Sequence, residues 1–316
     1  DKRWAPWVLE EEEALPVLEY AYKAGINTWD TADAYSMGRS EEIIGKALKK
    51  CNIPRNRVAI MTKCFFGVPD DGSMPPISLM KKNDGPMVNR VGISRKHIFD
   101  AVQASMERLG TYIDVLQIHR LDHETPKEET MRALNDVVKR GWVRYIGASS
   151  MATWEFQELQ YIAEKHNWVK FISMQNLYTL LYREEEREMI PYCRHTGVGV
   201  IPWFAVAAGV LTRPWDDAST ERAKSDSLLR TLLKNSDGTP EHEIVNRVEE
   251  VAKKKNVSMA QVATAWLLSK PGVNPLLGLS KKERIDEAVA AIHLKLTEEE
   301  IKYLEEPYMP RPVMGI

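Results

Sequence analysis

Residues 25–35 read Gly25-Ile26-Asn27-Thr28-Trp29-Asp30-Thr31-Ala32-Asp33-Ala34-Tyr35. The run Ile26 to Trp29 is short, apolar and β-branched, which predicts a strand; a loop of small residues follows, and Ser40 to Lys50 then shows helical spacing. This is one β-α unit. Moving outward, the same alternation recurs along the chain. Strands are predicted at Val58 to Thr62, Ile113 to Ile118, Val143 to Ala148, Phe171 to Met174, Val198 to Pro202 and Asn274 to Leu277. Helices are predicted at Glu10 to Ala24, Arg95 to Leu109, Pro126 to Lys139, Thr153 to His166, Glu184 to His195, Glu243 to Lys255, Ser258 to Ser269 and Lys281 to Ile292. Repeated β-α units imply a parallel sheet covered by helices. The boundaries agree: Ser40-Glu41-Glu42 reads as an N-cap with an acidic first turn, and Gly25, Gly110, Gly141 and Gly197 fall just past helix ends. Seven strands do not close an eight-stranded barrel. Two architectures fit, an open doubly wound sheet or a (β/α)8 TIM barrel, α/β in class, whose first strand lies before residue 1.

Composition narrows the function. The chain has 316 residues, 44% hydrophobic and 28% charged, which excludes a disordered or fibrous protein. Lys and Arg number 43 against 45 Asp and Glu, a formal net charge of −2, so no global field draws it to nucleic acid or an anionic membrane. The longest apolar runs, such as 204–211, are too short to span a bilayer. Three cysteines, Cys51, Cys64 and Cys193, have neither disulfide-scaffold nor metal-ligand spacing, and no metal site is expected. With no signal peptide visible, a cytoplasmic location is expected. No low-complexity linker divides the chain, so residues 1–316 read as one domain with two long loops, 64–94 and 204–241, over its mouth.

In such a barrel the reacting groups sit at the C-terminal ends of strands. The first polar residue after each predicted strand gives Asp30, Lys63, His119, Ser149 with Ser150, and Gln175. Tyr35 lies in the loop after Asp30. Carboxylate, ammonium, imidazole and phenol together suggest proton transfer. A phenol with an ordinary pKa of ~10 is a poor acid near neutrality. A lysine ammonium at ~4 Å, with an effective dielectric of ~20, contributes about 4 kcal/mol toward ionising it. In this reading Asp30 keeps Lys63 charged, and His119 donates a hydrogen bond to a substrate carbonyl oxygen. The alternative for the same residues is a partly buried ion pair beside a packing tyrosine.

These residues resemble the aldo-keto reductases. The resemblance runs from Gly25 to about Val289 and rests on 25–35, Met61-Thr62-Lys63, 114–119, Ile146-Gly147-Ala148-Ser149-Ser150 and 278–284. Trp203, 209–215 and 284–289 are similar to its microbial and fungal branch near aryl-alcohol dehydrogenases and versiconal hemiacetal acetate reductase. The resemblance implies a (β/α)8 barrel in which the Asp-bearing strand is the second, so that a first strand precedes residue 1. It implies NADPH-dependent carbonyl reduction with Tyr35 as general acid, Lys63 and Asp30 as its activating pair and His119 orienting the carbonyl. It implies nicotinamide contacts from Ser149, Ser150 and Gln175, stacking by Trp203, and further cofactor contacts from Gly209 and Leu211. Gly278, Ser280, Lys281 and Arg284 are implied as the site for the adenosine phosphate of NADPH/NADP+, with Glu287 nearer the adenine. Taken alone, the Lys281, Lys282 and Arg284 cluster reads equally as a solvated helix face.

The chain also departs from the family pattern. Ser150 stands where an Asn is usual, 204–209 replaces a Ser-Pro-Leu run and its basic residue, and Ala288 replaces a frequent Asn. These changes predict looser cofactor binding. Trp29, Phe65 and Phe66, with Tyr308 and Met309, are candidates for an apolar pocket suited to aromatic or polycyclic aldehydes and ketones. His123, Trp7 and Trp142 read as structural or exposed. An alternative function is an NADPH-binding regulatory or sensor protein with little turnover; a lyase forming a Schiff base on Lys63 is a third reading.

Overall fold

The computed structural model of the protein describes residues 1–75, 80–217, 219–220 and 239–314. The expected loops 64–94 and 204–241 therefore lie outside the described residues at 76–79, 218 and 221–238. The chain divides into two compact units, Asp1–Met174 and Gln175–Gly315.

In the first unit helices and strands alternate: α1 (Glu11–Lys23), β1 (Thr28–Asp30), α2 (Arg39–Lys50), β2 (Ala59–Cys64), α3 (Arg95–Leu109), β3 (Ile113–Ile118), α4 (Lys127–Lys139), β4 (Val143–Ser149), α5 (Thr153–Lys165) and β5 (Phe171–Gln175), which ends at the unit boundary. The strands follow sequence order, and β1 to β4 pair in parallel. Ile60, Ile113, Leu116, Ile118 and Ile146 on the strands, with Leu134, Val137 and Phe156 on the helices, are almost wholly buried. Each contributes roughly 2 to 3 kcal/mol through the apolar surface it removes from water. α3 follows its sequence signals closely: the Ser94 hydroxyl accepts from the His97 N–H, and Gly110 ends the helix in left-handed conformation.

Two boundaries differ from expectation. β1 begins at Thr28 because the Ile26 N–H bonds back to the Ala21 carbonyl, which ties Ile26 into the C-terminal cap of α1. At α2 the N-cap is Gly38, and Ser40 lies inside the helix, where its hydroxyl accepts from Thr31 Oγ1. Gly38 has φ +83°, a left-handed backbone that strains any residue with a Cβ, and a Cβ there would also displace the Arg108 side chain, 2.5 Å away, so the position favours glycine over a serine cap.

The second unit holds a 3-10 turn (Glu184–Glu186), α6 (Met189–Thr196), β6 (Gly199–Val200), a kinked turn (Ala207–Thr212), α7 (Pro240–Lys255), α8 (Met259–Leu268), α9 (Lys282–Ala291) and α10 (Glu298–Glu305). The helix expected over Glu184 to His195 is broken: Glu184 and Glu185 are buried, and Glu184 accepts from Tyr308 Oη and the Arg311 N–H. Tertiary bonds outweigh the local helical preference. In place of the strand expected at Asn274 to Leu277, Val273 forms a single parallel bridge with Val200, extended by bonds from Asn274 N–H to Val200 O and from Leu276 N–H to Pro202 O. α10 was not expected from the sequence; Thr297 and Glu300 form its capping box, and Leu304 is fully buried.

Candidate active site

The register of the first unit's sheet explains why distant residues meet. Asp30 pairs with Met61, Lys63 with Gln117, and Gln117 with Gly147. Partners in a parallel ladder share a face, and residues two apart on a strand do too. Asp30, Lys63 and Gln117 therefore project from one face, and the same alternation carries on to His119 and Ser149. The face has room because residue 147 lacks a side chain: a Cβ there would lie 2.6 Å from Ser173 Oγ and 3.0 Å from Gln117 Cγ.

Lys63, with no exposed side-chain surface, is the centre of the cluster. Its ammonium donates to Asp30 Oδ2 at 2.5 Å, to the Thr31 carbonyl at 2.9 Å and to Tyr35 Oη at 3.4 Å. Burial alone would lower the lysine's affinity for its proton, but the Asp30 carboxylate and the Tyr35 oxygen outweigh it and leave Lys63 raised above its ordinary value. It is a permanent cation. Asp30 is fixed on its other side by Gln117, whose amide donates to Oδ1 at 2.9 Å. Gln117 was missed in the sequence, where it is one polar residue within the apolar run Ile113 to Ile118; its place two residues before His119 was the available signal.

His119 stands edge-on to Tyr35, ring centroids 5.8 Å apart at 80°. Burial first, then the charges of Lys63, Arg120 and Lys81, push its imidazole well below the ordinary histidine value. The ring is neutral, with one N–H to donate, and its buried Nδ1 has no hydrogen-bond partner among the described residues.

Beneath this site lies a second buried charge layer. Glu41 accepts from Thr62 Oγ1 at 2.5 Å and from Arg108 Nε at 2.7 Å. Burial and the Glu41 charge raise the Asp33 carboxyl well above its ordinary value, and burial with Asp33 and Glu41 does the same to the Cys64 thiol. Cys51, Cys64 and Cys193 are all free.

The other residues singled out in the sequence fall in different places. Phe66 packs edge-on against His119 at 4.9 Å and against Phe65 at 5.2 Å. Trp29 does not join them: alternation puts it on the opposite face of β1 from Asp30, buried, with its indole N–H on the Ile26 carbonyl. Ser149 and Ser150 are buried with hydroxyl oxygens 3.2 Å apart, and Ser150 is left-handed at φ +52°. In the second unit Gln175 is buried, and Trp203 forms a parallel bridge with Leu177 and stands edge-on to Phe204. The departing segment 204–209 has left-handed backbone at Phe204, Ala207, Ala208 and Gly209, and Leu211 is buried beyond it. Such conformations cost non-glycine residues roughly 1 to 3 kcal/mol each. Gly278 and Ser280 lead into α9; Lys281 is its N-cap, Lys281 and Arg284 are exposed, Arg284 donates to Ser280 Oγ at 3.2 Å, and Glu287 is half-buried. Tyr308 bonds to Glu184, and Met309 is exposed.

Among the described residues no group of three or more His, Cys, Asp or Glu could hold a metal ion, and no helix is long and apolar enough to cross a membrane.

Comparison with known proteins agrees with this geometry. The model of the Aldo/keto reductase family matches residues 2–308. Versiconal hemiacetal acetate reductase of Aspergillus parasiticus is 62% identical over 311 residues, 98% of this chain and 91% of that protein. A Schizosaccharomyces pombe protein named for aryl-alcohol dehydrogenase is 56% identical, over 99% of this chain and 90% of its own length. An aldo-keto reductase of Fusarium vanettenii is 51% identical, over 100% of this chain and 86% of its own length. With Asp30, Lys63 and His119 at the ends of parallel strands and Tyr35 in the loop after the first, the chain belongs to the aldo/keto reductase family of oxidoreductases, whose fold class is the α/β (β/α)8 barrel.

Proposed function

We propose that the protein reduces an aromatic or polycyclic aldehyde or ketone to the alcohol, with NADPH as the reductant and Tyr35 as the proton donor. The observation that carries this is the position of the Lys63 ammonium, 2.5 Å from Asp30 Oδ2 and 3.4 Å from Tyr35 Oη. As the phenol gives up its proton, the charge that develops on Oη meets a fixed cation, so little reorganisation accompanies the step. Neutral His119 donates its N–H to the carbonyl oxygen and holds it toward Tyr35. Phe65 and Phe66 supply an apolar, aromatic wall beside the imidazole.

The donor set suits a nicotinamide dinucleotide phosphate. The buried hydroxyls of Ser149 and Ser150 in the first unit, and separately the buried amide of Gln175 in the second, are groups of the kind that bond a carboxamide, which both donates and accepts. At the start of α9, backbone N–H groups of the first turn, which have no acceptor within the helix, with Ser280, Lys281 and Arg284 match a phosphate dianion, which favours NADPH over NADH. When bound, NADPH supplies the hydride. The names of the Aspergillus and Schizosaccharomyces relatives, a reductase and an aryl-alcohol dehydrogenase, support a reductase acting on an aryl compound. The free cysteines support a reducing, cytoplasmic location.

Titration of the protein into NADPH, followed by fluorescence, and then addition of 4-nitrobenzaldehyde tests the reading. The expected result is binding and cofactor oxidation, with oxidation abolished and binding kept in Tyr35→Phe. Binding with no turnover of any aldehyde would replace this reading with the regulatory one.

A further inference from the structure

The cations near His119 are not all accounted for by the proton-transfer machinery. Lys63 is matched by Asp30, but Arg120 is not matched. Its side chain is half-buried, its Nη1 donates to the His119 carbonyl at 2.8 Å, and among the described residues it pairs with no carboxylate. Arg55, Arg90, Arg95 and Arg108 of this unit hold Asp114, Asp70, Asp136 and Glu41; Arg57, Arg132, Arg140 and Arg144 pair with no carboxylate among the described residues either, but all four are exposed, whereas Arg120 is half-buried. Burial lowers Arg120 from its ordinary value, opposed by the Tyr35 oxygen, so the guanidinium is partly stripped of water. It remains charged all the same. A second cation, Lys81, lies 5.9 Å from the centre of the Phe66 ring, and it too forms no ion pair among the described residues. Lys81 and Arg120 both act electrostatically on His119. An aromatic wall edged by two unmatched cations suits a ring that carries an anionic oxygen away from its carbonyl.

On the reading of the site as a carbonyl reductase, we propose that Arg120, assisted by Lys81, is a specificity-determining anion acceptor that selects substrates bearing an ionised oxygen, a carboxylate or phenolate, on the aromatic body. A guanidinium presents planar paired donors to such a group, and hydrogen bonds to charged partners are the strong ones. Arg120 takes no part in the proton transfer. It fixes which end of the molecule faces Tyr35.

The test compares kcat/KM for 4-carboxybenzaldehyde and 4-nitrobenzaldehyde, two rings of nearly the same shape that differ in charge. Taking their ratio within each variant cancels intrinsic reactivity. The expected result is a ratio about tenfold or more lower in Arg120→Met, restored in large part by Arg120→Lys, and lowered roughly threefold in Lys81→Met, whose side chain is exposed. The parent's ratio also falls as salt is raised. A ratio unchanged within twofold in both Met variants overturns the proposal while the reductase reading stands. So does a parent that reduces the nitro compound alone. An unchanged ratio with a tenfold rise in the Kd for NADPH overturns it too, by assigning the cation to a cofactor phosphate. A parent that binds NADPH and reduces neither aldehyde overturns both readings.

Discussion

The two ends of the proposed chemistry are built on opposite electrostatic plans. Around Lys63 in the first unit, charge is buried, matched and fixed: the ammonium has three acceptors, and Asp30 is bound on both oxygens. Around α9 in the second unit, Lys281 and Arg284 are exposed, and the Arg284 to Ser280 bond is near the long limit. The first plan makes groups immobile at the cost of desolvation. The second leaves them hydrated and screened by salt. Chemistry that tolerates little misplacement uses the buried arrangement, whereas capture of a phosphate is served by the exposed one.

Four measurements break or sharpen this contrast. The largest effect is expected from Tyr35→Phe, which removes the proton donor and keeps the ring; kcat should fall ~10²- to 10⁴-fold with NADPH affinity nearly unchanged, in single-turnover and titration experiments. Next comes Lys63→Met, which leaves the Asp30 carboxylate without its cation; urea unfolding should show a loss of about 3 to 5 kcal/mol besides the loss of activity. If stability were unchanged, the buried plan would be wrong.

Glu185 is one of the second unit's buried carboxyls, held by the Asn176 amide at 2.5 Å, and burial, partly opposed by that bond, pushes it up to about 7. The folded state thus binds its proton more tightly than the unfolded chain does. This stabilisation is full below the ordinary carboxyl value and is lost as pH rises through about 7. Glu185→Gln should therefore raise stability at pH 8 by up to about 3 kcal/mol and leave it nearly unchanged at pH 4, as read by unfolding curves at the two values. The smallest effect belongs to Arg284→Ala: the Kd for NADPH should rise roughly five- to tenfold, kcat should hold, and the penalty should shrink in high salt.

Much of the site was legible because it sits at element ends, where a polar residue interrupts an apolar pattern. Asp30, Lys63 and His119 each follow such a run, and the structure sets Lys63 between Asp30 and Tyr35, with His119 against the phenol. Gln117 was hidden by the same logic, since a single amide inside β3 does not end the run; only the register, which sets it beside Lys63, discloses its partner. Trp29 shows the opposite error. Proximity in sequence to Asp30 suggested the mouth, but strand alternation sends adjacent side chains to opposite faces. At α2 the expected serine cap is replaced by Gly38, two residues earlier, because the chain there takes a left-handed backbone packed against the distant Arg108 side chain. That information lies in tertiary contact, as does the breaking of the helix at Glu184 by Tyr308 and Arg311.

Cys64 follows Lys63 directly, yet alternation turns it to the other side of β2, and its surroundings favour the protonated thiol. Aldehydes are electrophiles, and soft ones alkylate thiolates. An enzyme that gathers such compounds exposes its own nucleophiles to them at every turnover. Here the Cys64 thiol is kept as an uncharged, shielded group, and the Lys63 amine is a buried ammonium with no lone pair to offer. The site is thus built to handle a reactive cargo without being consumed by it.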